Sequence, residues 1–251
     1  MQVLKGLRTI ENCYGLVPKL NVSCRSVRVN LLELWQQRFG HANYKQVEKV
    51  SKLEAVIGLP KFGKIKKNVC GPCQLGKQTK STHPKVNVVA TSRPLELLHV
   101  DLMGLTRTES MGRKRYIMVV VDDFSRYSWV EFLREKSEAC KKMEKLCKKF
   151  QNEKGVPIVK IKSDHGKDFE DAKFEAFCNE HGIKKEFSTL KTPQQNGVVE
   201  RENHVIQEMA RVMLLNKDIP QKFWVEAVNT SCHIRNRIFF QAGTKKMSYE
   251  I

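Results

Sequence analysis

The stretch Thr192-Pro193-Gln194-Gln195-Asn196-Gly197-Val198-Val199-Glu200-Arg201 places a carboxylate just inside the start of a predicted helix. Proline is tolerated in the first turn of a helix, and the amides before Gly197 predict a polar loop. From Val198 onward, apolar residues recur with a 3.6-residue period, which predicts an amphipathic helix. They are Val198, Val205, Ile206, Met209, Val212 and Met213. Glu200 lies opposite this stripe, on one face with His204, Gln207 and Arg211.

Two aspartates upstream give Glu200 a chemical context. Asp164 ends a strand-like run, and Asp101 ends another. A lone glutamate on a polar helix face is most often simply solvated. Three carboxylates at two strand ends and a helix start can instead hold divalent cations. Asp122 and Asp123 are rivals to Asp101, although their position after an apolar run is also typical of a turn.

Three blocks of sequence carry a family resemblance: "HVDLMG" at 99–104, "IKSDHGKDF" at 161–169 and "TPQQNGVVERENHVIQEMARVML" at 192–214. They resemble the catalytic blocks of integrases from copia-type LTR retrotransposons, which belong to the retroviral integrase superfamily. The 35 residues between Asp164 and Glu200 match the family's D-x35-E spacing. The resemblance runs from about Leu31 to the C-terminus. It implies an α/β ribonuclease-H-like fold, with a mixed sheet flanked by helices and preceded by a small helical zinc-binding domain.

The resemblance also implies a reaction. Asp101, Asp164 and Glu200 would hold two Mg²⁺ or Mn²⁺ ions, with Asp101 bridging both. Such a pair of ions supports in-line displacement at a phosphodiester, by water in 3′-end processing and by a 3′-hydroxyl in strand transfer. The amides of Gln194, Gln195 and Asn196 can contact phosphates and bases, or they can form an ordinary solvated loop. The same two interpretations apply to His204, Gln207 and Arg211 on the Glu200 face.

The overall charge points to a polyanionic partner. The 251 residues carry 45 basic and 27 acidic side chains, for a formal charge of +18. Nucleic acid is the first candidate partner and an anionic membrane surface the second. No apolar stretch is long enough to span a membrane, and the first residues lack a signal-peptide core, so the chain is predicted to be soluble and not secreted. Its eight cysteines are therefore predicted to be thiols or metal ligands.

A zinc site is predicted between residues 31 and 86. Cys70 and Cys73 form a Cys-x2-Cys pair at the spacing that tetrahedral zinc requires. The resembled family places a His-x4-His pair before it. His41 matches the second histidine, but Gln36 occupies the position of the first. A glutamine amide is a poor zinc ligand, which leaves His83, Cys24 or a water as the fourth ligand, or a pair of free thiols with no metal.

The chain divides into three predicted segments: a leader at 1–30, a zinc-binding domain at 31–86 and an integrase catalytic core at 93–251. Within the core, apolar runs predict strands near 98–102, 116–121, 129–133, 158–163 and 184–188. Glycines between the first two strands predict an antiparallel hairpin. Helices are predicted after Ser137, near 172–181, from Gly197 and after Pro220. The exposed side of the first of these carries Lys141, Lys142, Lys145, Lys148 and Lys149. These lysines form either a solvated face or a nucleic-acid surface.

The predicted function is insertion of element DNA into host DNA by a retrotransposon integrase. Its implied partners are duplex DNA, as element ends and target, and further copies of the chain, with no membrane. Its implied location is the nucleus, reached through cytoplasmic virus-like particles. Two alternatives remain: a catalytically silent DNA-binding relic, and a different ribonuclease-H-like nuclease acting on RNA–DNA hybrids or Holliday junctions. The block "TPQQNGVVER" argues against the second alternative.

Overall fold

The computed structural model describes residues 6–8, 14–16, 30–62, 69–76, 91–104, 106–163, 169, 171–187, 197–241 and 244–251. The chain forms two compact units, Met1–Asn30 and Leu31–Ile251. In the first unit, β1 (Gly6–Arg8) pairs with β2 (Tyr14–Leu16) in an antiparallel ladder. The second unit contains all the other elements.

A five-stranded mixed sheet forms the centre of the second unit. Its strands are β3 (Leu97–Met103), β4 (Tyr116–Asp122), β5 (Ser128–Leu133), β6 (Lys160–Ser163) and β7 (Lys184–Phe187). The spatial order is β5-β4-β3-β6-β7. β3, β4 and β5 pair antiparallel, whereas β6 runs parallel to both β3 and β7. Parallel neighbours require crossover connections. The helices α4 (Ala139–Lys154) and α5 (Ala172–Glu180) lie in these crossovers.

The alternation of side chains along the strands builds two apolar layers. On β4, Met118 and Val120 join the core beneath α4 and α5. Ile117 and Val119 point to the opposite face. That face packs against α6 (Gly197–Asn216) and α7 (Trp224–Ile238). The sheet is therefore covered by helices on both sides, which confirms the predicted ribonuclease-H-like arrangement of a mixed sheet flanked by helices.

The three helices of the N-terminal region pack against the last two helices of the chain. They are α1 (Leu31–Arg38), α2 (Tyr44–Lys52) and α3 (Gly71–Gly76). Val47 and Val50 of α2 share a buried cluster with Ile238 and Met247. A Cβ atom on Gly76 would lie only 2.5 Å from Val212 Cγ2, so α3 and α6 approach closely. The predicted helical domain is present, and it packs directly on the helices of the core.

The predicted helix from Gly197 is confirmed, and its apolar stripe is confirmed in part, because Ile206, Met209 and Val212 are buried. The sheet side of α6 is formed by Val199, Ile206, Ala210 and Leu214. The predicted stripe residues Val198, Val205 and Met213 are only half-buried. The reason is that α6 has two partners, because Met209 and Val212 approach the N-terminal helices near Gly40 and Gly76. A helix held between two surfaces buries more of its circumference than one 3.6-residue stripe. Among the described residues, no helix has the length and apolar character needed to cross a membrane.

Candidate active site and metal cluster

Asp101 lies near the end of β3, where a side chain from α6 reaches it. Its neighbours Leu98 and Val100 mark the face of β3 that packs under α4, so Asp101 points to the α6 side. Asn203 Nδ2 donates a hydrogen bond to Asp101 Oδ2. The backbone N–H of Leu102 donates to the other oxygen, Oδ1, at 2.9 Å. The Asp101 carboxylate is thus half-buried and oriented through both of its oxygens.

Glu200 lies in the first turn of α6 and is exposed. Three residues separate it from Asn203, and residues three apart on a helix lie on one face, displaced by about 4.5 Å along the axis. Because Asn203 is hydrogen-bonded to Asp101, the two elements that carry the carboxylates lie close together. The first turn of α6, with Glu200, is within about one helical turn of Asp101 on β3. Asp164 lies outside the described residues, as do Gln194, Gln195 and Asn196. It directly follows β6, the parallel neighbour of β3.

Asn203 was not predicted from the sequence, although its spacing from Glu200 contained a signal. Asn203 is only 4% exposed, and its Oδ1 has no hydrogen-bond partner among the described residues. An asparagine one turn after a candidate catalytic glutamate shares its helix face, so it is a reasonable candidate neighbour of the site. What the sequence could not show is that β3 lies within hydrogen-bond reach of that face.

The three helix residues predicted to contact DNA lie in different surroundings. His204 is exposed, and its Nδ1 lies 3.6 Å from Glu208 Oε1. Gln207 Nε2 donates to Met103 Sδ at the end of β3. Arg211 Nη1 donates to the carbonyl of Gly76 at 3.1 Å. His204 is therefore the most accessible of the three, while the other two also link α6 to its neighbours.

Asp122 and Asp123 have structural partners, which confirms their interpretation as turn residues. Asp122 accepts hydrogen bonds from the backbone N–H groups of Ser125 and Leu95. Burial raises the pKa of Asp122 above its usual value, against the effect of these hydrogen bonds. Burial also opposes ionisation of Asp123. The hydrogen bond from His99 and the charge of Arg126 nevertheless hold the pKa of Asp123 below its usual value.

A second cluster brings three predicted metal ligands together. One ligand atom each from His41, Cys70 and Cys73 lies within 4.8 Å of the others. Cys70 Sγ and His41 Nδ1 are 3.4 Å apart. Cys70 and Cys73 are connected through the start of the short helix α3, and His41 follows α1 in a backbone conformation with φ of 60°. His83 and Cys24, the predicted alternative ligands, lie outside the described residues.

The side chain of Gln36 lies beside this cluster, where a fourth metal ligand would be needed. Its side chain is 2% exposed, and Nε2 donates to Cys73 Sγ at 3.4 Å. Its Oε1 is buried, with no hydrogen-bond partner in the part of the chain that the structure describes. A half-turn of the amide would direct this oxygen to the position that Nε2 now holds. One nitrogen and two sulfur ligands suit zinc, so the three ligands fit this metal and the amide is the weak fourth member.

Among the remaining described cysteines, Cys140 and Cys147 belong to the core. Both pack in the layer under α4, together with Cys178. Burial raises the pKa of Cys147 to about 12 and that of Cys178 to about 11. These thiols stay protonated at neutral pH, so they are poor metal ligands and poor nucleophiles.

Comparison with known proteins agrees with this geometry. The family described as "Integrase core domain" matches residues 91–193, and "GAG-pre-integrase domain" matches residues 14–78. The retrovirus-related Pol polyprotein from transposon TNT 1-94 of Nicotiana tabacum is 34% identical over 232 residues, which is 90% of this chain and 16% of that protein. The corresponding polyprotein from transposon RE2 of Arabidopsis thaliana is 26% identical over 204 residues, or 81% of this chain and 14% of that protein.

A solved structure supports the fold. One chain of a simian T-cell lymphotropic virus intasome, solved in complex with PP2A regulatory subunit B56 gamma, superposes with a TM-score of 0.50 at 18% identity. The match covers 62% of this chain and 54% of that chain. The second unit is thus an integrase core of ribonuclease-H-like fold, preceded by GAG-pre-integrase helices. The chain is similar to a segment of the Pol polyproteins of copia-type retrotransposons and spans about a sixth of the length of the relatives named above.

Proposed function

We propose that this chain is the integrase segment of its polyprotein and inserts element DNA into host DNA by 3′-end processing and strand transfer. The observation that carries the proposal is the contact of Asn203 with Asp101. It joins the strand of one predicted catalytic carboxylate to the helix of another. The third, Asp164, is the residue after β6, and the parallel strands β3 and β6 end at the same edge of the sheet.

The described part of the site fits divalent metal. Asp101 is oriented yet half-exposed, and Glu200 is exposed one turn from the residue that holds Asp101. Oxygen ligands of this kind are what Mg²⁺ and Mn²⁺ prefer. Asp101, Asp164 and Glu200 would hold two such ions, which supply charge stabilisation for the attacking and leaving oxygens. Asn203 would keep Asp101 in one orientation.

The chain's charge supports DNA as the substrate. A formal charge of +18 favours a polyanionic partner, and integration requires both element ends and a target duplex. His204, Gln207, Arg211 and the loop residues Gln194, Gln195 and Asn196 remain proposed DNA contacts. Work on two DNA ends requires more than one copy of the chain, so a homo-multimer is part of the proposal. The reaction would take place in the nucleus, after passage through cytoplasmic virus-like particles.

A strand-transfer assay with the DNA ends of the matching element tests this function. Wild type should join a labelled donor end to a target duplex in Mg²⁺ or Mn²⁺. Asp101→Asn, Asp164→Asn and Glu200→Gln should each abolish joining, because each removes one proposed metal ligand. Glu226→Gln, an exposed site on α7, is the matched control and should remain active. Equal activity of the Glu200 variant and wild type would refute the assignment.

A catalytically silent DNA-binding relic is the second candidate, and the substituted metal ligand Gln36 favours it. The relic should bind duplex DNA with the same affinity in EDTA and Mg²⁺ and yield no joined product. The same assay therefore separates the two candidates.

A further inference from the structure

Three lysines lie on one face of the two strands beside the strand of Asp101. Ile161 of β6 points into the core beneath α4 and α5, so its neighbours Lys160 and Lys162 point to the opposite face. The register pairs Lys160 with Lys184 and Lys162 with Glu186. Side chains of paired residues project from the same face of a sheet. Lys160, Lys162 and Lys184 therefore surround a single acid, Glu186.

This lysine face is continuous with the candidate active site. Lys162 pairs with His99 across β3 and β6, and Asp101 is the next residue of β3 on that same face. Neighbouring strands lie about 4.8 Å apart and alternate residues about 7 Å apart, so the lysines begin within roughly 10 Å of Asp101. α6 and α7 pack on this side of the sheet over β4 and β5.

The charges on this face do not cancel. Glu186 accepts a contact from Lys160 at 2.9 Å and lies 3.6 Å from Lys184. The hydrogen bond from Lys160, and the charges of Lys160, Lys184 and Lys162, lower the pKa of Glu186. Among the described residues, no carboxylate lies within ion-pair distance of the Lys162 ammonium group. Three cations against one anion leave an excess positive charge beside the site.

We propose that this face, formed by Lys160, Lys162 and Lys184, docks the phosphate backbone of duplex DNA next to the carboxylates. The proposal rests on the integrase function proposed above. Glu186 pairs with Lys160 and Lys184 and so competes with DNA for them, whereas Lys162 can contact a phosphate. A duplex carries regularly spaced phosphates, which a row of ammonium groups can contact without reading sequence. The occupant is thus the backbone of a DNA duplex passing from the active site across β6 and β7.

The test is duplex binding measured by fluorescence anisotropy in EDTA across a series of salt concentrations. The triple variant Lys160→Gln, Lys162→Gln, Lys184→Gln should bind roughly ten-fold more weakly. Its salt slope should be shallower by about 2 to 3, because each phosphate contact contributes about 0.9. Glu186→Gln should bind more tightly than wild type, since it removes the one competing anion.

The matched control removes the same charge from the other side of the sheet, with Lys141→Gln, Lys145→Gln and Lys148→Gln on α4. This control should lose much less affinity. Equal losses in the two triple variants would overturn the proposal, because only net charge would then matter. Weaker binding by Glu186→Gln would also overturn it. If the first triple variant fails to fold, Lys162→Gln alone must still weaken binding and Lys162→Arg must preserve it.

The readout separates this proposal from the proposed function. Binding is measured without metal, so a wild type that binds through these lysines but yields no joined product refutes only the integrase activity. Normal joining by a protein whose binding ignores the three lysines refutes only the docking surface.

Discussion

Asn203 restricts the orientation of Asp101 at the centre of the candidate active site. One oxygen of Asp101 accepts from Asn203 and the other from the backbone of Leu102. A carboxylate fixed in this way needs little reorganisation when it binds a cation. Asn203 itself is buried on α6, the helix that also carries Glu200. A single amide therefore couples the orientation of one proposed ligand to the position of another.

We expect Asn203→Ala to weaken divalent-metal binding roughly 10- to 100-fold, the usual effect of losing a group that orients a metal ligand. Asp101 would lose the hydrogen bond from Asn203 and keep the one from the backbone of Leu102. The measurement is Mn²⁺ affinity by calorimetry, together with the metal concentration that gives half-maximal strand transfer. Asn179→Ala, at an exposed site on α5, is the control. Unchanged Mn²⁺ affinity in a folded Asn203→Ala protein would show that this amide is not needed for metal binding.

Gln36 lies beside the candidate zinc cluster, where its amide would be a weaker metal ligand than histidine. The amide lies against Cys73, beside His41 and Cys70. We expect Gln36→His to complete a tetrahedral site and to raise the thermal stability of the protein in zinc. Wild type should hold zinc weakly, and Cys70→Ser more weakly still. Zinc stoichiometry and melting temperature of the three proteins provide the measurement.

A different result in the zinc measurements would contradict the prediction for Gln36. Tight one-to-one zinc binding by wild type, with no gain from histidine, would mean that another residue, such as His83 or Cys24, completes the site. The substitution of glutamine would then cause no loss of metal. Strand transfer is expected to respond less than zinc binding, because the candidate zinc ligands and the proposed catalytic carboxylates are different residues.

At the scale of elements, local patterns predicted most of the sheet and its helices. The run around Val119 predicted a strand because it supplies consecutive apolar residues to both faces of the sheet. Around Leu98 and Ile161, apolar residues alternate with polar or charged ones, which also predicts strands. α4 ends at Gly155, which adopts a left-handed φ of 65°, and glycine at this position is a common local signal for the end of a helix. Such signals lie within a few residues of the element they define.

The contacts of α6 were not predictable in the same way. Its burial depends on the sheet and on α3, which lies more than a hundred residues earlier in the chain. Neither the hydrogen bond from Arg211 to Gly76 nor the one from Asn203 to Asp101 follows from helical period. Periodicity identifies a buried face but not the group that covers it. The candidate site was therefore predictable as a set of residues, whereas its supporting contacts required the structure.

Gly76 tests the packing of α3 on α6. A Cβ at this position would lie 2.5 Å from Val212 Cγ2 and 3.3 Å from Val212 Cα. We expect Gly76→Ala to destabilise the protein by about 1–3 kcal/mol, the usual cost of overpacking a tight interface. Gly71→Ala is the control on the same helix, because a Cβ there meets nothing within 4 Å. Urea unfolding of the two variants measures the difference.

A double-mutant cycle sharpens this test. Val212→Ala should cost stability alone yet recover part of the loss in Gly76→Ala, with a coupling energy of about 0.5–3 kcal/mol. Strict additivity of the two substitutions would show that α3 and α6 do not press on each other at this point in solution.

At the scale of the whole molecule, a third apolar cluster holds the second unit together. It joins Leu32, Phe39, Ala42, Val47 and Val50 from the N-terminal helices to Ile238 and Met247 from the end of the chain. Gln46 Nε2 adds a hydrogen bond to the carbonyl of Ile238. The sequence suggested a zinc-binding domain followed by a separate catalytic core. The cluster instead makes the N-terminal helices part of the surface on which α7 rests.

Removal of the N-terminal helices should therefore destabilise the catalytic core. A chain of residues 91–251 would expose Ile238 and Met247, and burying a side chain of this kind contributes roughly 1.5–3 kcal/mol. For a chain of this length, losing the burial of both side chains corresponds to a melting temperature about 10 °C below that of residues 31–251. Calorimetry of the two chains gives the comparison, and residues 1–251 serve as the control for loss of the first unit alone.

Substitutions in the full-length chain test the same apolar cluster without truncation. Ile238→Ala and Met247→Ala should each lower the melting temperature of the complete chain, since each leaves a cavity where two regions meet. In the chain of residues 91–251, the same substitutions should cost much less, because the partner side chains of α1 and α2 are already gone. If residues 91–251 melt at the same temperature as residues 31–251, the cluster contributes nothing to stability. The core would then be an independent domain that merely touches the helices before it.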